Sequence, residues 1–116
     1  NEDELVEIAV ETAKTAKVFG IDPKVAMLSY STYGSGKGDM VTLVANATKK
    51  IKEAAPDLAV DGELQFDAAV APEVAKVKCA GSPVAGQANT STPATSAIRS
   101  LLVWADTKRS VLFCRV

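Results

Sequence analysis

Two short apolar runs constrain this chain more than any other feature. KVAMLSYS (24–31) and LAVDGEL (58–64) are short for helices and apolar enough for buried strands. Between them lies a helical stripe of Val41, Val44, Ala47 and Ile51, with Asp39 expected as its N-cap and APD (55–57) as its stop. Ahead of them, Leu5, Ile8, Ala9, Thr12, Ala16 and Phe19 recur at helical spacing, with acids first, Lys14 and Lys17 later, and Gly20 as a stop. Behind them, FDAAVAPEVAKVK (66–78) predicts a helix that breaks or restarts at Pro72. SPVAGQAN (82–89) is expected to contain a short third strand. The order α-β-α-β-α-β with short connections predicts an α/β domain, a parallel sheet with helices packed on its faces.

Composition narrows the function classes. At 116 residues and 47% hydrophobic, the chain holds one domain with one modest core. A net charge of −1 gives no reason to invoke nucleic acid. NEDELVEIAV lacks the basic start and apolar centre of a signal peptide. No apolar stretch approaches the roughly 20 residues of a membrane span. Cys79 and Cys114 form no spacing motif, so free thiols in a reducing cytoplasm are expected. The absence of histidine excludes His-based triads and most zinc sites.

The stretch SYSTYGSGKGD (29–39) follows the first expected strand and leads into a helix. In open α/β sheets ligands bind at the carboxyl ends of the strands. Gly34, Gly36 and Gly38 allow positive φ and close backbone approach. The helix N-terminus favours an anion, Ser29, Ser31, Thr32 and Ser35 add hydroxyls, and Lys37 adds a positive charge. The loop therefore suits a phosphate or a phosphorylated ligand. It is not a P-loop, because the G-x-x-x-x-G-K-[ST] spacing is absent. The plain alternative is a glycine-rich surface loop.

The second strand runs into Asp61, Glu63, Gln65 and Asp67. Alternation puts Asp61 and Glu63 on one strand face, and Asp67 suits a helix cap. A metal or acid–base site is one reading; a solvated strand end plus a cap fits the pattern better. Lys49, Lys50 and Lys52 are expected on a solvated helix face, Met27 and Met40 in the core, and Cys79 in a structural role.

FGIDPKVAMLSYSTYGSGKGD, APDLAVDGELQFDAAVAPEVA and SPVAGQAN, in that order and spacing, closely resemble the second half of the phosphate acetyltransferase family. The resemblance covers residues 1 to about 90. It implies acetyl transfer between coenzyme A and phosphate, a fold like that of the isocitrate and isopropylmalate dehydrogenases, a homodimer and a cytoplasmic location. It implies direct attack, with a base deprotonating the CoA thiol and positive groups holding the phosphate. No metal or cofactor is implied; CoA is a substrate. Ser29, Ser31, Thr32, Gly34, Ser35, Gly36, Lys37 and Gly38 would line the cleft for CoA or acetyl phosphate. Asp61, Gly62, Gln65 and Asp67 would shape the same cleft.

The family's later segment resembling D-L-S-R-G, which supplies catalytic Ser and Arg, does not occur in these 116 residues. Nor does the family's N-terminal half, the other cleft wall. The resemblance thus implies one wall of an active site, inactive alone. Two further readings stand beside it: an acetyl-CoA-sensing module like that fused to malic enzymes, and a folded fragment without function. GSGKGD resembles the active transferases more than the malic-enzyme branch, and these residues do not separate acetyl from a related acyl specificity such as butyryl.

The chain changes character at about residue 90. Residues 1–90 carry nine lysines, no arginine and thirteen acids, whereas residues 91–116 carry all three arginines, one lysine and one acid. The lone Trp104 is there too. Where the family continues with G-N-I-G-Y-K, this chain has Ala94, Thr95, Ser96, Ala97, Ile98 and Arg99, whose codons permit those residues in a shifted frame. The register continues to Val116, except that a glutamine expected opposite Leu102 is not permitted. Residues 91–116 are therefore expected to be family DNA translated out of frame, after a deletion near Thr90. Within that tail, SLLVWA and SVLFCRV around DTKR predict a β-hairpin, paired with the sheet edge or with a second copy.

Overall fold

The computed structural model describes residues 1–93 and 112–113, with 91–93 and 112–113 described as backbone only. The first helix, α1 (Glu2–Val18), starts in a reciprocal capping box. The Asn1 side chain accepts the Glu4 N–H at 2.9 Å, and the Asn1 amino group donates to Glu4 Oε2 at 2.7 Å. Its buried face is Leu5, Ala9, Thr12, Ala13 and Ala16. Phe19, expected on that stripe, instead caps the helix and is 71% exposed, because the chain turns away at Gly20 (φ 77°).

Strand β1 (Lys24–Leu28) leads through the glycine-rich loop to α2 (Asp39–Ala54). Gly38, not Asp39, is the N-cap; Asp39 is the first helical residue, and no side chain caps this end. Met40, expected in the core, is only half-buried in the first turn, whereas Met27 is fully buried. Strand β2 (Ala59–Leu64) follows, then α3 (Phe66–Val70) and α4 (Pro72–Lys78). Pro72 opens α4, where its missing N–H costs no helical bond.

The third strand is not in 82–89. Ser82 Oγ accepts the N–H groups of Val84 (3.3 Å) and Ala85 (3.1 Å), and Gly86 has φ 77°, so that stretch folds into turns. Strand β3 (Thr90–Pro93) starts after it. Strand β4 (Leu112–Phe113) pairs parallel to β3 at the sheet edge. The rest of the predicted hairpin lies outside the described residues.

The sheet order is β2-β1-β3-β4, and every pair is parallel. Successive β1 residues point to opposite faces. Val25 and Met27 pack with Val60 against Leu5, Ala9 and Ala13 of α1 and Val44, Ala47 and Ile51 of α2. Ala26 and Leu28 pack with Leu64 against Ala68, Ala69, Ala75, Cys79 and Val84. Helices thus cover both faces of the central strand, and parallel pairing sends the loops after β1 and β2 to the same edge. Lys50 adds a link between α1 and α2 through Glu2 and Asp3, both at 2.9 Å.

Candidate functional site

The loop between β1 and α2 is a folded object with its own hydrogen bonds. Tyr33 sits at φ 48° and Gly34 at φ 80°, closing a turn in which the Ser35 N–H donates to the Thr32 carbonyl at 3.1 Å. Ser31 is fully buried, and its Oγ accepts the Gly36 N–H at 2.9 Å. Ser35 Oγ accepts the Thr32 N–H at 2.9 Å. The Tyr30 hydroxyl donates to the Lys37 carbonyl at 2.9 Å. Ser29 Oγ accepts the Ser31 N–H at 3.3 Å. The sequence therefore places the right groups in the loop, but several N–H groups expected for an anion are used to hold the loop's shape.

What stays open lies at its far end. Gly34, Ser35, Lys37 and Gly38 are exposed. The Lys37 ammonium has no hydrogen-bond or ion-pair partner among the described residues, and beside it α2 begins without a side-chain cap. Gly38 needs to be glycine: its φ is 147°, and a Cβ there would meet Tyr30 Oη at 2.5 Å.

Strand β2 supplies the floor. Asp61 and Glu63 are 3% and 5% exposed, so they are not a solvated strand end. Nor do they act as one alternating pair. The register with β1 jumps from Met27↔Gly62 to Leu28↔Leu64, and Glu63 is the residue passed over. Glu63 Oε1 accepts the Gly34 N–H at 2.9 Å, and its backbone carbonyl accepts the Tyr33 N–H at 3.2 Å. Its Oε2 is buried without a hydrogen-bond partner among the described residues.

Asp61 is a hub. Its Oδ2 accepts the hydroxyls of Tyr33 and Ser82, and its Oδ1 accepts Lys52 Nζ at 2.9 Å. Burial by itself would raise the Asp61 carboxyl, but hydrogen bonds from Ser82, Tyr33, Lys52 and the Gly62 backbone outweigh it and hold the group below the ordinary aspartate range. Desolvation and the bond to Asp61 push the Tyr33 phenol up to about 12. Lys52 lies on the exposed face of α2, as expected, and from there reaches the buried acid. Lys49 stays exposed.

Gln65 and Thr32 are bonded twice: the Gln65 N–H donates to Thr32 Oγ1 at 2.9 Å, and that hydroxyl donates to Gln65 Oε1 at 3.2 Å. Lys78 Nζ reaches Gln65 Oε1 and Asp67 Oδ2, both at 2.9 Å. Asp67 is exposed in the first turn of α3, where Gln65 is the N-cap. Tyr33, Ser82 and Lys78 are the residues that sequence reasoning missed. Each acts through a partner at least 11 residues away, for which the local pattern holds no signal. Beyond Ser82, an open cavity of about 460 Å³ runs between α4 and the following turns. Among the described residues, no group of three or more acids and thiols is placed to hold a metal ion.

A glycine-rich loop whose lysine has no partner among the described residues, at the carboxyl edge of a parallel sheet, defines an α/β segment with a candidate anion-binding wall. The family described as phosphate acetyl/butaryl transferase matches residues 1–91, and the chain belongs to it. The phosphate acetyltransferase of Clostridium acetobutylicum is 58% identical over 88 residues, covering 75% of this chain and 26% of that protein. The phosphate acetyltransferase of Escherichia coli is 55% identical over 86 residues, covering 74% of this chain and 12% of that protein. A phosphotransacetylase structure from Streptococcus pyogenes superposes with a TM-score of 0.79 at 59% identity, covering 80% of this chain and 28% of that one. The EutD phosphotransacetylase from Staphylococcus aureus gives 0.78 at 48% identity, covering 82% and 30%. The matched part of the chain thus spans about a quarter or less of the length of the Clostridium and Escherichia enzymes.

Proposed function

We propose that residues 1–90 form one wall of a phosphate acetyltransferase cleft, which takes acetyl phosphate or CoA along the loop 29–38. The domain is of the isocitrate dehydrogenase-like type and assembles as a homodimer in the cytoplasm. The observation that carries this reading is the uncapped start of α2 beside the Lys37 ammonium, which has no partner among the described residues. Both favour a phosphate, and neither is consumed by the loop's own bonding. Catalysis needs a group that deprotonates the CoA thiol and cations that hold the phosphate. The loop contributes Lys37 to the second task and nothing to the first, so the 116-residue chain binds without turning over.

Calorimetric titration of the purified chain with CoA and with acetyl phosphate, beside an acetyl-transfer assay, tests this. The expected result is binding of at least one ligand, weakened at least about tenfold by Lys37→Ala, with no transfer. Absence of binding to both overturns the wall; turnover overturns its inactivity alone.

We further propose that residues 91–116 are family DNA translated in a shifted frame. The family match ending at residue 91 supports this. The coding DNA, searched for G-N-I-G-Y-K in another frame, decides it.

A further inference from the structure

Two surfaces of this domain meet at one oxygen atom. On one side is the loop 29–38, whose Tyr33 hydroxyl donates to Asp61 Oδ2. On the other is the cavity of about 460 Å³ beside α4, lined by Pro72, Ala75, Cys79, Ser82 and Gln87 among others. Its Ser82 hydroxyl donates to the same Oδ2. Ser82 also caps the turn that shapes this wall, by accepting the N–H groups of Val84 and Ala85. Lys52 Nζ fixes the carboxylate from α2 through Oδ1 at 2.9 Å.

A carboxylate oxygen accepts two donors comfortably, so both hydroxyls are satisfied together. Asp61 is almost fully buried and its backbone lies in register with Ala26 in the sheet, so what its donors Ser82 and Lys52 set is the orientation of its carboxylate. Tyr33 is the partner on the loop side. It stands on a left-handed backbone position that an L-residue adopts at a cost, so the loop depends on bonds outside itself to hold that shape. Those bonds include the Asp61 carboxylate on the Tyr33 hydroxyl, the Glu63 carbonyl on the Tyr33 N–H, Glu63 Oε1 on the Gly34 N–H, and the paired bonds of Thr32 with Gln65.

We propose that Asp61 is a positioning residue that couples the loop 29–38 to the cavity beside α4, so that the Ser82 hydroxyl governs the order of a loop 48 residues away in sequence from its Gly34. The functional consequence rests on the reading of that loop as a ligand wall; the coupling itself does not. A group in the cavity that draws the Ser82 hydroxyl away removes one of the donors that orient the Asp61 carboxylate, and the turned carboxylate no longer meets the Tyr33 hydroxyl squarely, which loosens the wall that meets the phosphate.

Amide hydrogen exchange of the unliganded chain tests the coupling without any ligand. Tyr33→Phe is expected to speed exchange of the Gly34 and Gly36 amides about fivefold. Ser82→Ala is expected to speed the same two amides about threefold, while the core amides of Val25 and Ile51 keep their rates. Val44→Ala, which loosens the core away from Asp61, sets how the loop responds to general destabilisation. Ser82→Ala that leaves Gly34 and Gly36 unchanged, slows them, or moves them only in proportion to the core overturns the proposal. Failure of ligand binding in the calorimeter, with the exchange result intact, overturns the ligand-wall reading and leaves the coupling standing.

Discussion

Asp61 shows how a residue's neighbours set its chemistry. An isolated aspartate on a strand would be expected to sit in water; this one is buried with three side-chain donors around it. Its folded carboxyl lies below the ordinary range, so its stabilisation is present above the unfolded value of about 4 and is lost as pH falls through the folded value. Chemical denaturation between pH 7 and 3 is expected to show a steeper loss of stability in the parent chain than in Asp61→Asn. Tyr33 has the opposite sign. Its folded pKa of about 12 exceeds the unfolded value of about 10, so its contribution is complete below pH 10 and is lost on the way to 12. Ultraviolet titration of a Tyr30→Phe chain is expected to show Tyr33 ionising late, and Asp61→Asn is expected to bring it back toward the ordinary tyrosine range.

At the scale of elements, β2 is the least conventional piece. Gly62 lies against β1 and α2, where a Cβ would meet Met27 Cβ at 2.6 Å, the Met27 carbonyl oxygen at 2.8 Å and Thr48 Oγ1 at 3.0 Å. Two of these belong to a central strand and cannot retreat. Gly62→Ala is therefore expected to destabilise the chain by about 2 kcal/mol in urea denaturation, as overpacked cores do. Gly34→Ala meets no atom within 4 Å, and its cost comes only from the left-handed backbone, so about 1 kcal/mol is expected. The irregular register beside Gly62 also serves the site, because it gives Glu63 to the Gly34 amide while Asp61 is given to Tyr33. Helix α2 is the other element with a dual role: its apolar stripe fills one core, and its open N-terminus faces the loop.

At the scale of the whole molecule, the two faces of the sheet are filled differently. One side buries larger aliphatic residues such as Met27, Ile51 and Val44, and the other relies on Ala68, Ala69, Ala75 and Cys79. Cys79 is 4% exposed, and desolvation, with Asp61 and Asp67 nearby, raises its thiol above the ordinary range. In a Cys114→Ser chain, modification of Cys79 by a disulfide reagent is expected to be slow in buffer and to accelerate with urea in step with unfolding. Among the described residues no helix is long and apolar enough to cross a membrane.

The residues alone determined the order of helices and strands, because periods of 3.6 and 2 are local properties that burial on a sheet imposes. Pro72 fixed its helix break for a reason confined to its own ring, and the motifs of residues 1–90 were enough to reach the family. Only the tertiary structure decided the rest. It moved the third strand to Thr90–Pro93, because the Ser82 hydroxyl and the positive φ of Gly86 turn the preceding residues. It paired Lys52, which stays on the exposed face of α2, with a buried acid, and it made Tyr33 and Ser82 share one oxygen. The Tyr33 and Ser82 bonds join Asp61 to residues 28 and 21 positions away, which only the packed fold brings together.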